Sequence, residues 1–150
     1  MRVVIQRVNR ASVTIDGKIK SAIEKGLLIL LGIEEADTDE DLKWLTAKAV
    51  NLRIFDDENG VMNLSVKDVS GEVLVVSQFT LYAATKKGNR PSYIRAAGHA
   101  TAIPMYENFC KEIETLIGKE VKQGEFGADM LVSLENSGPV TIVIDSKNRE

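Results

Sequence analysis

Cysteine is almost absent from this chain of 150 residues, which contains only Cys110. A single cysteine cannot form an intramolecular disulfide, so the fold must depend on packing and suits a reducing compartment. The single cysteine and the single histidine, His99, also exclude a structural metal centre built from several Cys and His ligands within one chain. Counting residues leaves a carboxylate site for a hard cation open. We expect neither a metal ion nor another cofactor.

Long apolar runs are also missing. The longest, residues 27–33 with the sequence LLILLGI, falls far short of the roughly 20 residues that cross a bilayer. The opening segment MRVVI is interrupted by Gln6 and Arg7 before the apolar region of an export signal could form. We therefore expect a cytoplasmic protein with no membrane association.

The chain has no excess of positive charge: Lys and Arg number 19, Asp and Glu number 22, and the formal net charge is −3. This balance argues against a protein that grips DNA or RNA over a broad face by releasing counterions. Any contact with RNA must then be local, and we expect no contact with DNA. The hydrophobic share of 44 % is typical of a soluble globular protein, and the length suits one domain over residues 1–150.

Hydrophobic periodicity predicts strands first and then a helix. Alternating apolar residues lie on both sides of Asp16 and Gly17, a pair typical of a tight hairpin. After Asp37 and Thr38, apolar residues recur at spacings of three and four, which predicts a helix that packs on a sheet. These residues are Leu42, Leu45, Ala49 and Leu52.

The second half of the chain continues the mixed pattern. Residues 72–76 read as a buried strand, and a second helix is expected with Pro104 in its first turn and Gly118 at its end. Residues 130–134 and 140–144 read as two strands joined by a turn. About seven strands and two helices cannot cover both faces of one large parallel sheet. We predict a single α/β domain, either a layered β/β/α arrangement or a partly closed barrel.

Candidate catalytic groups are few. No Gly-x-Ser-x-Gly elbow and no P-loop spacing occur. Ser77 and Thr80 follow the buried strand, where a nucleophile could be presented, and His99 could in principle activate one of them. The residues alone favour a simpler interpretation, in which the two hydroxyls satisfy backbone groups and His99 is solvated or caps a helix. Cys110 falls in the pattern of the second helix and is expected to be a packing residue.

Two further features are compatible with contact to RNA, and a third marks an unusual turn. Lys86, Lys87 and Arg90 cluster in a polar loop over residues 83–99, where a phosphate contact is a reasonable alternative to a solvated charged surface. Phe126 lies between two glycines, so base stacking competes with a core position. A proline in the turn at residues 136–139 suggests a tight turn with a cis isomer.

Two segments give the sequence a family resemblance. Residues 77–81 (SQFTL) and 136–141 (NSGPVT) both match motifs of the D-aminoacyl-tRNA deacylases. Residues 1–8, 87–92 and 124–130 match the same family in the right order. The chain therefore resembles these deacylases over nearly its whole length.

The resemblance implies an enzyme that hydrolyses the ester bond of D-aminoacyl-tRNA, and also of mischarged glycyl-tRNA, as a form of proofreading. It implies a homodimer, in which a cis Gly138–Pro139 segment enters the partner's pocket and excludes L side chains. Arg7 would hold that segment, and Phe126 and Met130 would bind the terminal adenosine.

The resemblance assigns catalysis to the segment of Ser77, Gln78, Phe79 and Thr80. Backbone N–H groups from Gln78 to Thr80 would stabilise the oxyanion, and the ribose 2′-OH would help to activate water. In an alternative, Thr80 is the nucleophile. Two other interpretations stay open: a tRNA-editing module of a synthetase, and a non-catalytic RNA-binding or scaffold protein.

Overall fold

A computed structural model describes all residues from 1 to 150. It contains two α-helices, α1 (Asp39–Asn51) and α2 (His99–Ile117), and a short 3-10 helix at Phe79–Tyr82. No helix is both long enough and apolar enough to cross a membrane. The eight strands are β1 (Arg2–Ile15), β2 (Lys18–Ile23), β3 (Gly26–Gly32), β4 (Phe55–Asp56), β5 (Met62–Leu64), β6 (Glu72–Ser77), β7 (Lys122–Gln123) and β8 (Leu131–Asp145).

Six of the strands form one mixed sheet that curls on itself. The strand order is β2-β1-β3-β6-β7, and β8 pairs with the other edge of β1. Strands β3, β6 and β7 are parallel to one another, and the other pairings are antiparallel. The hydroxyl of Ser21 in β2 donates a hydrogen bond of 2.7 Å to the carbonyl of Gln123 in β7. The two ends of the strand path therefore meet, which confirms the prediction of a partly closed α/β barrel with two helices.

Local turn and cap chemistry places the first elements where the sequence predicts them. Asp16 and Gly17 have positive φ angles of 50° and 76°, as a two-residue hairpin turn requires. Thr38 is the N-cap of α1: its side chain accepts a hydrogen bond from the Asp41 N–H, while the Asp41 carboxylate accepts one from the Thr38 N–H. This reciprocal capping box starts α1 at the predicted position.

The start of α2 differs from the prediction. The helix begins at His99, so Pro104 lies in its second turn and the expectation that it lies in the first turn is wrong. A residue far away in sequence stabilises this extra first turn, because both carboxylate oxygens of Glu35 accept hydrogen bonds at the helix start. The donors are the Gly98 N–H at 2.7 Å and the Thr101 hydroxyl at 2.8 Å.

The C-terminal strand also differs. The expectation of two strands joined by a tight turn is wrong, because β8 is one strand that pairs with β1 on both sides of the proline. Asn136 lies opposite Val8 and Thr141 opposite Gln6, so residues 137–140 bulge out opposite a single residue of β1. Proline has no N–H to donate to a ladder, and β8 is an edge strand, so a bulge accommodates it.

The buried residues form two clusters, one on each face of the sheet. The larger contains 21 residues and includes Leu45 of α1 and Phe109 of α2, so it fills the space between helices and sheet. The smaller contains seven residues, among them Val8, Leu28 and Leu74, and lies on the other face. Alternation along β3 and β6 separates the two sets, since successive side chains of a strand point to opposite faces.

Candidate active site

A cavity of about 590 Å³ opens where β6 ends. Ser77, Gln78 and Phe79 line it from the strand end, and Phe126 and Met130 line it from the segment before β8. The structure therefore brings together two groups of predicted site residues that lie about fifty positions apart. The remaining lining residues are Val76, Tyr93, Ala96, Ala97, His99, Gly127, Ala128 and Val132.

The backbone at the strand end is fixed by two neighbouring elements. The Gln78 N–H donates a hydrogen bond of 2.8 Å to the carbonyl of Leu31 in β3, which extends the β3–β6 pairing by one residue. The 3-10 helix then begins at Phe79 and turns the chain away from the strand. The N–H groups of Phe79 and Thr80 open this helix, and the first N–H groups of a helix have no carbonyl partner within it.

The side chain of Gln78 contacts Thr80. Its amide Nε2 donates a hydrogen bond to Thr80 Oγ1 at 2.5 Å. Thr80 is half-buried and does not line the cavity itself. Because its oxygen accepts this bond, its own proton is free to donate elsewhere. No hydrogen bond joins His99 to Ser77 or Thr80, so the structure contains no histidine–hydroxyl pair.

Aromatic rings form two walls of the cavity. Phe126 packs edge-to-face against His99, with ring centroids 5.4 Å apart and planes at 89°, and it also contacts Tyr106. On the other side, Phe79 and Tyr93 pack edge-to-face at 5.1 Å. Such pairs fix ring orientation and leave apolar faces for a planar ligand.

Tyr93 is a cavity residue that the sequence did not reveal, whereas His99, which the sequence offered as a possible activator of a hydroxyl, lines the cavity without bonding to Ser77 or Thr80. His99 is the first residue of α2, so the bonds between Glu35 and the helix start also fix its position. These bonds, from the Gly98 N–H and then the Thr101 hydroxyl, lower the pKa of Glu35. Tyr93 lies in the polar loop of residues 83–99, which has no apolar pattern from which a cavity residue could be predicted. No carboxylate, lysine or arginine lines the cavity.

Cys110 does not line the cavity. Its side chain is fully buried in the larger core cluster, on α2. Burial raises the pKa of its thiol to about 12, so the thiol stays protonated and does not act as a nucleophile. The prediction of a packing role is consistent with this environment.

The bulge of β8 lies outside the cavity of its own chain. Gly138 and Pro139 are exposed at its tip, the peptide bond between them is cis, and neither lines the cavity. Arg7 supports the bulge from β1: its Nε donates a hydrogen bond of 3.1 Å to the Ser137 carbonyl. Its Nη1 donates one of 2.7 Å to the carbonyl of Ile54, which ties the same guanidinium to the segment before β4.

The three basic residues of the polar loop are exposed. Lys86, Lys87 and Arg90 lie between Ala84 and Ser92, which exchange two backbone hydrogen bonds of 2.8 and 3.0 Å and so close the loop. None of the three lines the cavity, but the loop leads directly into Tyr93, which does.

Comparison with known proteins supports the motif matches. A family model described as D-Tyr-tRNA(Tyr) deacylase matches residues 4–145. The D-aminoacyl-tRNA deacylase of Bacteroides fragilis strain YCH46 is 67 % identical over 150 residues, covering 100 % of both chains. That of Flavobacterium psychrophilum is 65 % identical with the same coverage. The chain belongs to the D-aminoacyl-tRNA deacylase family. Membership makes it an enzyme of the hydrolase class.

Solved structures share the deacylase fold. The structure of c-Myc DNA Unwinding Element Binding Protein is 42 % identical, has a TM-score of 0.91, and the match covers 97 % of this chain and 98 % of that one. The structure of a probable eukaryotic D-amino acid tRNA deacylase has a TM-score of 0.82 over 95 % and 97 % of the two chains. At 17 % identity, this second match shows the fold alone.

Within this deacylase the two family motifs lie in different places. The segment 77–81 ends β6 at the cavity, whereas the segment 136–141 forms the bulge on the edge strand β8. A cavity built from one chain therefore contains the first motif without the second.

Proposed function

We propose that this deacylase hydrolyses the ester bond between a D-amino acid and the 3′-terminal adenosine of tRNA, releasing the free amino acid and tRNA. The observation that carries the proposal is the convergence of Ser77, Gln78 and Phe79 with Phe126 and Met130 around one cavity, in a chain of the deacylase family. The aromatic and thioether side chains suit a stacked adenine, and the strand end offers polar groups for the ester.

Catalysis is proposed to use the backbone and the substrate. The carbonyl oxygen of the ester gains negative charge as water attacks, and backbone N–H groups near the strand end would stabilise it. The Gln78 N–H already bonds to Leu31, so the proposed donors are those of Phe79 and Thr80. The cavity wall offers no carboxylate as a base. His99 lines the cavity, but its ring packs on Phe126 and makes no hydrogen bond to Ser77 or Thr80. In line with the family resemblance, the ribose 2′-OH, next to the scissile ester, is proposed to help to activate water.

Chirality is proposed to be read by Gly138–Pro139 of the partner subunit in a homodimer. This segment is exposed, does not line the cavity of its own chain and is supported by Arg7, which suits an element that projects into another chain. Carbonyl groups there would occupy the space of an L side chain. Glycine has no side chain to exclude, so glycyl-tRNA is a proposed second substrate. The activity would constitute proofreading in the cytoplasm.

The polar loop is proposed to contact tRNA phosphates. Lys86, Lys87 and Arg90 are exposed on a protein with a formal net charge of −3, so a local basic cluster beside the cavity would orient an anionic substrate. The same net charge gives no support to a broad DNA-binding surface, although the name of one structural relative refers to DNA.

A deacylation assay tests the activity. Purified protein is incubated with D-tyrosyl-tRNA, L-tyrosyl-tRNA and glycyl-tRNA, and acid-precipitable label is followed. We expect cleavage of the D and glycyl esters and survival of the L ester. Binding of all three without cleavage would instead support the scaffold interpretation.

A subunit-mixing experiment tests whether the active site combines the cavity of one chain with Gly138–Pro139 of its partner. A Gly138→Ala chain should cleave L-tyrosyl-tRNA, because φ at Gly138 is +119° and an added Cβ would lie 2.8 Å from Arg7 Nη2, which displaces the segment. A Phe126→Asp chain should be inactive but retain an intact bulge. Adding the inactive chain, after subunit exchange, should suppress L cleavage while D cleavage persists. Unchanged L cleavage in proven mixed dimers would contradict the cross-subunit arrangement.

A further inference from the structure

The bulge of β8 has a narrow base. Asn136 and Thr141 are the last residues on either side that pair with β1, opposite Val8 and Gln6, and the four residues between them lie opposite Arg7 alone. A loop of this kind on an edge strand is held only at its two ends by the ladder. Its tip therefore needs other bonds to adopt one position.

The Asn136 side chain bridges this base. Its Nδ2 donates a hydrogen bond of 2.9 Å to Thr141 Oγ1, directly across the bulge. Its Oδ1 accepts a hydrogen bond of 3.2 Å from the Val140 N–H, the backbone group that follows Pro139. One amide thus binds two residues, Val140 and Thr141, which form the outgoing arm of the bulge.

We propose that Asn136 and Thr141 form a clasp that positions the bulge, and that Asn136 is a positioning residue for the discrimination between D- and L-aminoacyl esters. This inference rests on the proposed function of Gly138–Pro139. The clasp holds the outgoing arm, and Arg7 holds the incoming arm through the Ser137 carbonyl. With both arms held, Gly138 and Pro139 keep one position although the ladder gives them no partner in β1.

The clasp should affect selectivity more than turnover. Rejection of an L side chain by a backbone carbonyl depends on a steric contact, and such contacts change steeply with displacements of a fraction of an ångström. Freeing the outgoing arm restores conformational entropy to the tip, so the carbonyl groups spend less time in the excluding position. No hydrogen bond joins Asn136 or Thr141 to the segment at the end of β6 that is proposed to catalyse cleavage, so cleavage of the D ester should persist.

Paired substitutions separate bonding from side-chain size. Asn136→Leu removes both hydrogen bonds, whereas in Asn136→Asp a carboxylate can accept from the Val140 N–H and from the Thr141 hydroxyl. We expect Asn136→Leu to lower the ratio of D- to L-tyrosyl-tRNA cleavage about tenfold, equal to about 1.4 kcal/mol, and Asn136→Asp to restore most of it. Thr141→Val should give part of the loss, and Thr141→Ser should not. The Asn136→Leu and Thr141→Val effects should be non-additive.

Hydrogen exchange gives a readout that does not depend on activity. The Val140 amide should exchange faster in Asn136→Leu than in the wild type or in Asn136→Asp, while amides of β6 remain protected. Asn51→Leu, at the exposed end of α1, is the matched control and should change neither exchange at Val140 nor selectivity. Sedimentation should show the same assembly for all variants.

The possible failures are distinguishable. A wild-type protein that cleaves D and L esters equally would overturn the proposed function and the role of the clasp with it. A selective wild type with unchanged selectivity in Asn136→Leu and Thr141→Val would overturn the clasp alone. Loss of selectivity in Asn136→Leu that Asn136→Asp does not restore would assign the effect to side-chain shape and would also overturn it.

Discussion

The α-ammonium group of Met1 and the carboxylate of Asp37 form an ion pair in which both residues are shielded from solvent. The same nitrogen donates a second hydrogen bond, 2.8 Å long, to the hydroxyl of Ser146. Met1 precedes β1, Asp37 precedes α1 and Ser146 follows β8. Through these two bonds the α-ammonium group of Met1 joins the boundaries of three elements that are distant in sequence.

Replacement of Asp37 by asparagine should destabilise the protein strongly. Removing one partner of a buried ion pair leaves the other charge uncompensated, which costs about 3 kcal/mol or more. Urea unfolding followed by circular dichroism measures the difference. Asp16→Asn, in the exposed hairpin turn where asparagine also tolerates a positive φ, is the control and should cost little. Equal effects of the two substitutions would contradict the structural importance of the pair.

Stability should also fall in acid through Asp41. Burial alone would raise the pKa of Asp41, but hydrogen bonds from Lys147, Ser146 and Thr38 outweigh it and hold the pKa well below its ordinary value of 3.8. A carboxylate with a lowered folded-state pKa stabilises the fold above the unfolded value, and this contribution is lost as pH falls through the folded value.

The free energy of unfolding of the wild type and of Asp41→Asn should therefore differ most above the ordinary pKa of 3.8, and the difference should shrink steadily as pH falls below it toward the lowered folded-state pKa. Urea titrations at several pH values measure this difference. A difference that stays constant over the whole range would show that ionisation of Asp41 does not stabilise the fold.

The sequence predicts those elements whose signals are local. Thr38 and Asp41 form their capping box within four residues, and Asp16 with Gly17 adopts its turn without outside help. The start of α2 depends instead on Glu35, more than sixty residues away, so Pro104 misled the prediction. The single strand β8 depends on β1 as a template, which no pattern within residues 130–144 reveals.

The cavity was foreseeable only in part. Five of the lining residues belong to recognisable family motifs, and the structure places them together: Ser77, Gln78, Phe79, Phe126 and Met130. Tyr93 and His99 lie in or beside an irregular loop. Their positions follow from tertiary contacts with Phe79 and Phe126 that sequence spacing does not encode.

Loss of the Thr80 hydroxyl should leave most of the activity. Thr80→Ala removes the acceptor of the Gln78 side chain but retains the backbone N–H groups proposed to stabilise the oxyanion. We expect cleavage of D-tyrosyl-tRNA to fall by less than about tenfold, whereas a substrate ending in 2′-deoxyadenosine should lose about a hundredfold or more. Single-turnover rates give both numbers. A trapped acyl-Thr80 intermediate would instead establish Thr80 as the nucleophile.

Reversal of the loop charges should weaken binding of tRNA. Changing Lys86, Lys87 and Arg90 to Glu places negative charge where phosphates are proposed to lie, so KM should rise and the increase should shrink at high salt. A charge-matched control reverses three exposed lysines that do not line the cavity, Lys43, Lys67 and Lys111. If both triple variants raise KM equally, the effect belongs to net charge rather than to the loop.

The pairing of β1 with β8 sets the order in which the chain can complete its fold. Arg2 and Asp145 bond to each other although 143 positions separate them, and such non-local contacts slow folding because a long loop must close first. During synthesis, β1 emerges early and keeps one open edge until β8 has been made. The cavity is itself lined by Val132 of β8, so the cavity and the bulge that is proposed to read chirality are completed by the same late strand, and a nascent chain gains both together.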